Sequence, residues 1–193
     1  HPELVEGTKG KNMDKKLKSK LLPFVLTVVV AVLDQITKML VVKFIKPYTI
    51  GLSILDGYFR IVHVSNTGVA FSMGASWGET LRHFAFILIP LAVIVMVIVI
   101  CFKNDDFTKT QRWAIAGIVG GGIGNLIDRC FRAEGVVDFL DFRFWGLFGL
   151  ERWPTFNVAD TAVIVCGNIL LISFIVLSVR ETKAKKNDSV ENK

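Results

Sequence analysis

Apolar and polar positions sort into four long apolar runs separated by polar or glycine-broken connections. The run at 84–102 is the cleanest, nineteen residues without an acidic or basic side chain. At ~1.5 Å per residue a helix of that length just crosses a ~30 Å hydrocarbon layer. A second run, 21–45, follows a lead containing Lys15, Lys16, Lys18 and Lys20. Its length and the lack of a small-x-small cleavage site predict a membrane helix and not a cleaved signal peptide. Two more helices are predicted at 113–129 and 157–179. The former carries Gly117, Gly120, Gly121, Gly122 and Gly124. They make two small-residue ridges, Gly117/Gly121 and Gly120/Gly124, across which helices can approach closely. The connection 46–80 is interrupted by Pro47, Gly51, Gly57, Gly68, Gly74 and Gly78. Residues 58–64 are rich in β-branched and aromatic types, which predicts short strands lying on the membrane surface. The connection 130–156 also reads as extended, with Trp145 and Trp153 suited to the interface. The pattern therefore predicts an all-α membrane protein. Four transmembrane helices carry a small extracytoplasmic β-rich platform formed by the 46–80 and 130–156 loops.

Composition agrees: 52% of residues are hydrophobic and 21% charged, which a membrane chain reconciles by confining charge to loops and tails. The net charge of +6 comes largely from the two ends. We read it as an orientation signal and not as a nucleic-acid surface. Four spans put both termini on one side. Lysines before the first span, Arg180, Lys183, Lys185 and Lys186 after the last, and Lys103, Lys109 and Arg112 in the short polar loop 103–112 make that side cytoplasmic. The first twelve residues precede Met13 and read as an added leader outside the fold. Residues 13–180 form one four-helix domain, and 181–193 a basic cytoplasmic tail. Cys101, Cys130 and Cys166 show no CxxC spacing and read as packing residues. His63 and His83 lack ligand partners at helical spacing. No metal or other cofactor is expected.

The chemistry lies in the acids that flank these runs. Asp34 and Lys38, four apart, share a helix face, and a self-neutralising pair with Lys38 reaching the interface is the simple reading. Asn125, Asp128 and Arg129 fall at i, i+3 and i+4, where an Asp128–Arg129 structural pair is expected. Asn157 and Asp160 share a first helical turn, where an acid also complements the helix dipole. Asp138 and Asp141 follow the third span. With the predicted orientation, these groups and Asn66 all gather at the outer membrane face. Carboxylates there are costly unless they work, and two that share one proton can act as base on water and acid on a substrate. Spacing alone does not choose the pair among Asp128, Asp138, Asp141 and Asp160. A proton-coupled transporter would spread polar groups through the membrane depth. An assembly factor would use the glycine ridges without chemistry, and a metal-dependent hydrolase would use Asp128 with Asp138.

Five stretches in order resemble the lipoprotein signal peptidases (signal peptidase II), bacterial aspartyl enzymes of the inner membrane. They are Asp34-Gln35-Ile36-Thr37-Lys38, Asn66-Thr67-Gly68-Val69-Ala70-Phe71, Gly124-Asn125-Leu126-Ile127-Asp128-Arg129, Val136-Val137-Asp138-Phe139 and Phe156-Asn157-Val158-Ala159-Asp160. Val69, where alanine is common, and a longer segment at 144–150 depart from the family pattern. The resemblance implies that Asp138 and Asp160 are the catalytic pair. It implies that Asn66, Gly68, Asn125, Asp128, Arg129, Asn157 and Ala159 line or brace the substrate site, with Asp34 and Lys38 supporting it. The implied substrate is a prolipoprotein cut just before a cysteine that already bears a diacylglyceryl group, by a monomer that meets membrane lipids and takes cyclic-peptide inhibitors of the globomycin type.

Overall fold

A computed structural model describes residues 17–67, 79–146 and 149–191. Four helices run in chain order as α1 (Phe24–Phe44), α2 (Glu79–Lys103), α3 (Lys109–Phe131) and α4 (Val158–Glu191). One helical turn at 17–21 precedes α1. Three strands, β1 (Ile50–Ile54), β2 (Phe59–Asn66) and β3 (Val136–Phe142), form an antiparallel sheet in the order β1-β2-β3. The expected platform is thus present, with β1 and β2 from the first long connection and β3 from the second.

Among the described residues three helical stretches are long and apolar enough to cross a membrane: Leu17–Phe44, Phe84–Lys103 and Val158–Asn187. The predicted fourth span forms as a helix, α3, but falls short of the others in apolarity. The cause is local. Its glycines, with Asn125, Asp128 and Arg129, take the place of large apolar side chains. This helix packs against α1, α2 and α4 and buries Ala114, Ala116, Gly117, Gly120, Gly121 and Gly124. A helix enclosed by protein needs small residues for contact more than bulky ones for lipid. The other three, by contrast, leave many leucines, isoleucines and valines on the outside.

The two glycine ridges serve two neighbours. A Cβ on Gly120 would sit 2.9 Å from the carbonyl oxygen of Thr27 in α1, and one on Gly121 would strike the carbonyl of Ala159 in α4. At Gly124 it would meet the Asp34 carboxylate at 2.7 Å and Ala159 Cβ at 3.2 Å. The Thr27 hydroxyl donates to the Ala116 carbonyl at 2.7 Å across the same contact.

Three boundaries differ from expectation, the first being α2, which begins at Glu79 and not at 84. α3 begins at Lys109 and not at 113, because Thr108 and Gln111 close a reciprocal capping box. Arg112 is consequently not a loop cation: it is buried in the first turn and donates to the carbonyls of Cys101, Asn104, Asp105 and Phe107. α4 continues through the basic tail to Glu191.

Candidate active site

Lys38 on α1 has no exposed surface at all. A buried ammonium is tolerable only if its three donors meet acceptors. Here they reach Asp34 Oδ2 at 2.7 Å, Asp128 Oδ2 at 2.9 Å and Asn125 Oδ1 at 2.9 Å. The simple pair reaching the interface is therefore corrected to an enclosed cluster. Asp128 is completed by Arg132 Nε at 3.0 Å, Gln35 Nε2 at 3.1 Å and the Val137 amide at 3.2 Å. Two acids and two cations balance. The expected Asp128–Arg129 pair does not form, since Arg132 sits four residues after Asp128, one turn along the same face. Asp34 also accepts from the Ala159 amide at 2.9 Å, which ties α1 to the first turn of α4.

Because Lys38 can only donate, it fixes the direction of the amides beyond it. Asn125 accepts from Lys38, so its amide nitrogen points onward and donates to Asp160 Oδ1 at 2.7 Å. Asn157 is the residue before α4, and its Oδ1 accepts from the Asp160 amide at 2.9 Å. In return Asp160 Oδ2 accepts from the Asn157 amide at 3.2 Å. That reciprocal cap satisfies the helix start and aims the Asp160 carboxylate back along the chain. Asn157 Nδ2 donates to Asp138 Oδ1 at 2.7 Å and to Asn125 Oδ1 at 3.1 Å. Asp138 Oδ2 accepts from Asn66 Nδ2 at 3.0 Å.

The sheet brings these groups together. β2 and β3 pair with Val64 opposite Asp138 and Asn66 opposite Val136, which sets Asn66 beside the Asp138 carboxylate. Gly135, at φ +92°, precedes β3; a side chain there would collide with the Asn66 carbonyl. On the far edge of β3, Leu140 and Phe156 exchange backbone hydrogen bonds, which delivers Asn157 to Asp138.

Asp138 is only 3% exposed. Burial pushes its carboxyl up from 3.8 to about 6, and the charge of Asp160 adds to the rise. Hydrogen bonds from Asn66 and Asn157 and the Lys38 charge oppose it. Asp160 is half-buried. Alongside, between α2, α3 and α4, runs an apolar groove of about 210 Å³ walled by Pro90, Ile94, Val119 and Gly121, with Asn125 and Arg129 as its polar end. Asp141, the other acid of β3, is held by Arg152 Nε at 2.7 and 2.8 Å.

A family model described as signal peptidase (SPase) II matches residues 26–177. The chain belongs to the signal peptidase II family. It is 46% identical over 158 residues to the lipoprotein signal peptidase of Treponema pallidum, covering 82% of this chain and 85% of that protein. The lipoprotein signal peptidase of Treponema denticola is 43% identical over 168 residues, covering 87% and 96%. A solved structure described as a bacterial membrane enzyme superposes with a TM-score of 0.67 at 23% identity, covering 79% of this chain and 92% of that one, which shows a shared fold.

All five stretches that carry the signal peptidase II resemblance contribute to this region, through Asp34 and Lys38, Asn66, Asn125 and Asp128, Asp138, and Asn157, Ala159 and Asp160. Gly68 lies outside the described residues. Gln35, Arg132 and Gly135 were not anticipated as site residues. For Arg132 a signal existed in its spacing of four from Asp128; for Gln35 the partners lie some ninety residues away, beyond any local pattern.

Proposed function

We propose that this chain is an aspartic endopeptidase that removes signal peptides from diacylglyceryl-modified prolipoproteins. It cuts just before the lipidated cysteine with water activated by Asp138 and Asp160. The observation that carries the reading is the bridging of these two acids, from different segments, by Asn125 and Asn157. Two acids that feel each other's charge titrate as a unit and can hold one proton between them. Burial raises the Asp138 carboxyl to about 6, which suits it to carry that proton. The ionised partner takes a proton from water, the water attacks the scissile carbonyl, and the protonated acid hydrogen-bonds the carbonyl oxygen and then supplies a proton to the departing amine. Neither metal nor covalent intermediate is needed in this scheme.

Asn66, Asn125 and Asn157 hold the two carboxylates, and the Asp34–Lys38–Asp128 cluster braces α1 and α3 and, through the Ala159 amide, the start of α4. Ala159, fully buried, braces the site through its amide bond to Asp34, and Arg129, which makes no ion pair among the described residues, borders substrate at the polar end of the groove. The acyl chains lie in the bilayer, where each buried methylene contributes about 0.8 kcal/mol of anchoring, while the apolar groove ending at Asn125 and Arg129 takes the peptide. α3 completes a four-span arrangement in the bacterial inner membrane, with both termini cytoplasmic and the acids at the outer face. The enzyme works as a monomer, and cyclic peptides of the globomycin type occupy the groove. The deciding experiment is a gel-shift assay on a diacylglyceryl-modified precursor. Asp138→Asn and Asp160→Asn each lose cleavage by ~10³-fold or more while the protein remains in the membrane. Full turnover by either variant overturns the reading.

A further inference from the structure

The outer side of the sheet carries a second polar centre that the catalytic reading leaves unused. Among the described residues, a cavity of about 300 Å³ is lined by Arg60, Arg143, Glu151 and Arg152. Arg152 is fixed in its wall: Nε pairs with Asp141 and both Nη groups donate to the Gly57 carbonyl at 3.1 Å. Arg143 meets Glu151 only at 3.6 Å, and both side chains are exposed. Arg60 stands opposite Asp141 in the β2–β3 register, yet Asp141 is taken by Arg152. Its Nε is buried without a hydrogen-bond partner among the described residues. Three guanidinium groups thus face two carboxylates, and one buried N–H donor is left open. A buried donor costs free energy until an acceptor reaches it, and the planar guanidinium matches the paired oxygens of a phosphate. The platform also exposes Tyr48, Leu55, Trp145 and Trp153, with Tyr58 stacked on Trp145 at 4.9 Å. Aromatic and arginine side chains in this mixture suit the headgroup layer of a bilayer.

We propose that Arg60, Arg143 and Arg152 form a binding site for a phosphate group, supplied by a phospholipid headgroup of the leaflet on which the sheet rests. Arg152 is the fixed wall and Arg60 and Arg143 close on the ligand. The site is separate from the Asp138–Asp160 pair, so the test uses Asp138→Asn protein and reads binding without cleavage; failure of the site leaves the protease reading intact, and the reverse.

The full chain in non-ionic detergent is titrated calorimetrically with short-chain phosphatidylglycerol, inorganic phosphate and an acidic hexapeptide. The expected result is saturable one-site binding of phosphatidylglycerol, weakened at least tenfold by Arg60→Gln and by Arg143→Gln and partly restored by Arg60→Lys. Equal binding of inorganic phosphate supports the phosphate site but makes free phosphate its ligand. Unchanged affinity in both arginine variants, no saturable binding, or tighter binding of the acidic peptide than of either phosphate probe overturns the proposal. Should Arg60→Gln fail to fold, Arg143→Gln, whose side chain is exposed, decides alone.

Discussion

Lys38 illustrates how much depends on single side chains here. Removing it leaves Asp34 and Asp128 buried without their shared cation, and breaking such a cluster from one side typically costs about 3–5 kcal/mol. Lys38→Ala should therefore reduce folded yield in detergent sharply, read by size-exclusion recovery and thermal unfolding. Normal yield with lost turnover would move Lys38 from the scaffold to the chemistry. The pair itself is tested by pH. With its carboxyl at about 6, Asp138 keeps its proton below that value and loses it above. The one-proton state of the pair is then replaced by two negative charges, and kcat/KM for the precursor should fall as pH rises through about 6. The Asn66 hydrogen bond favours the ionised form of Asp138. Asn66→Ala should accordingly shift that alkaline limb to higher pH; an unmoved or lowered limb would contradict the assignment.

At the scale of elements, the glycines of α3 separate contact from mere flexibility. Gly121→Ala and Gly124→Ala place a methyl against the Ala159 backbone and the Asp34 carboxylate, neither of which can give way. Each should destabilise by about 1–3 kcal/mol through overpacking, seen as a lowered midpoint of thermal unfolding. Gly167 on α4 has open space around it, so Gly167→Ala should stabilise by up to about 1 kcal/mol through helix propensity. Equal effects at all three sites would refute the ridge account. The ridges were legible in the sequence because small residues at i and i+4 have few other uses in a membrane helix. The helix start at 109 was missed, because the charges of 103–112 read as a loop and obscure the Thr108–Gln111 capping box within them. What could not be read locally was the partner of each buried charge. Asp128 could be seen to need a cation, but Lys38 and Gln35 reach it across some ninety residues. Likewise the Asn157–Asp160 cap is a local pattern, whereas the Asn157–Asp138 contact depends on the bridge between Leu140 and Phe156.

Across the whole molecule, three helices carry the apolar surface and the fourth, α3, carries the polar connections that join them. The sheet caps the side where the acids collect. Cys130 is exposed at the end of α3 that bears Asp128 and Arg132, whereas Cys101 is buried. A membrane-impermeant maleimide added to intact cells should label Cys130 and leave Cys101 unmodified; labelling of Cys130 only after lysis would invert the orientation. If the two carboxyl groups act as one catalytic unit, single and double variants should show it side by side. Residual rates on a diacylglyceryl-modified precursor should be alike, within a few-fold, for Asp138→Asn, Asp160→Asn and the double variant, because losing either member already disables the unit. Multiplying defects in the double variant, or near-normal turnover in a single one, would show that the two acids do not work together.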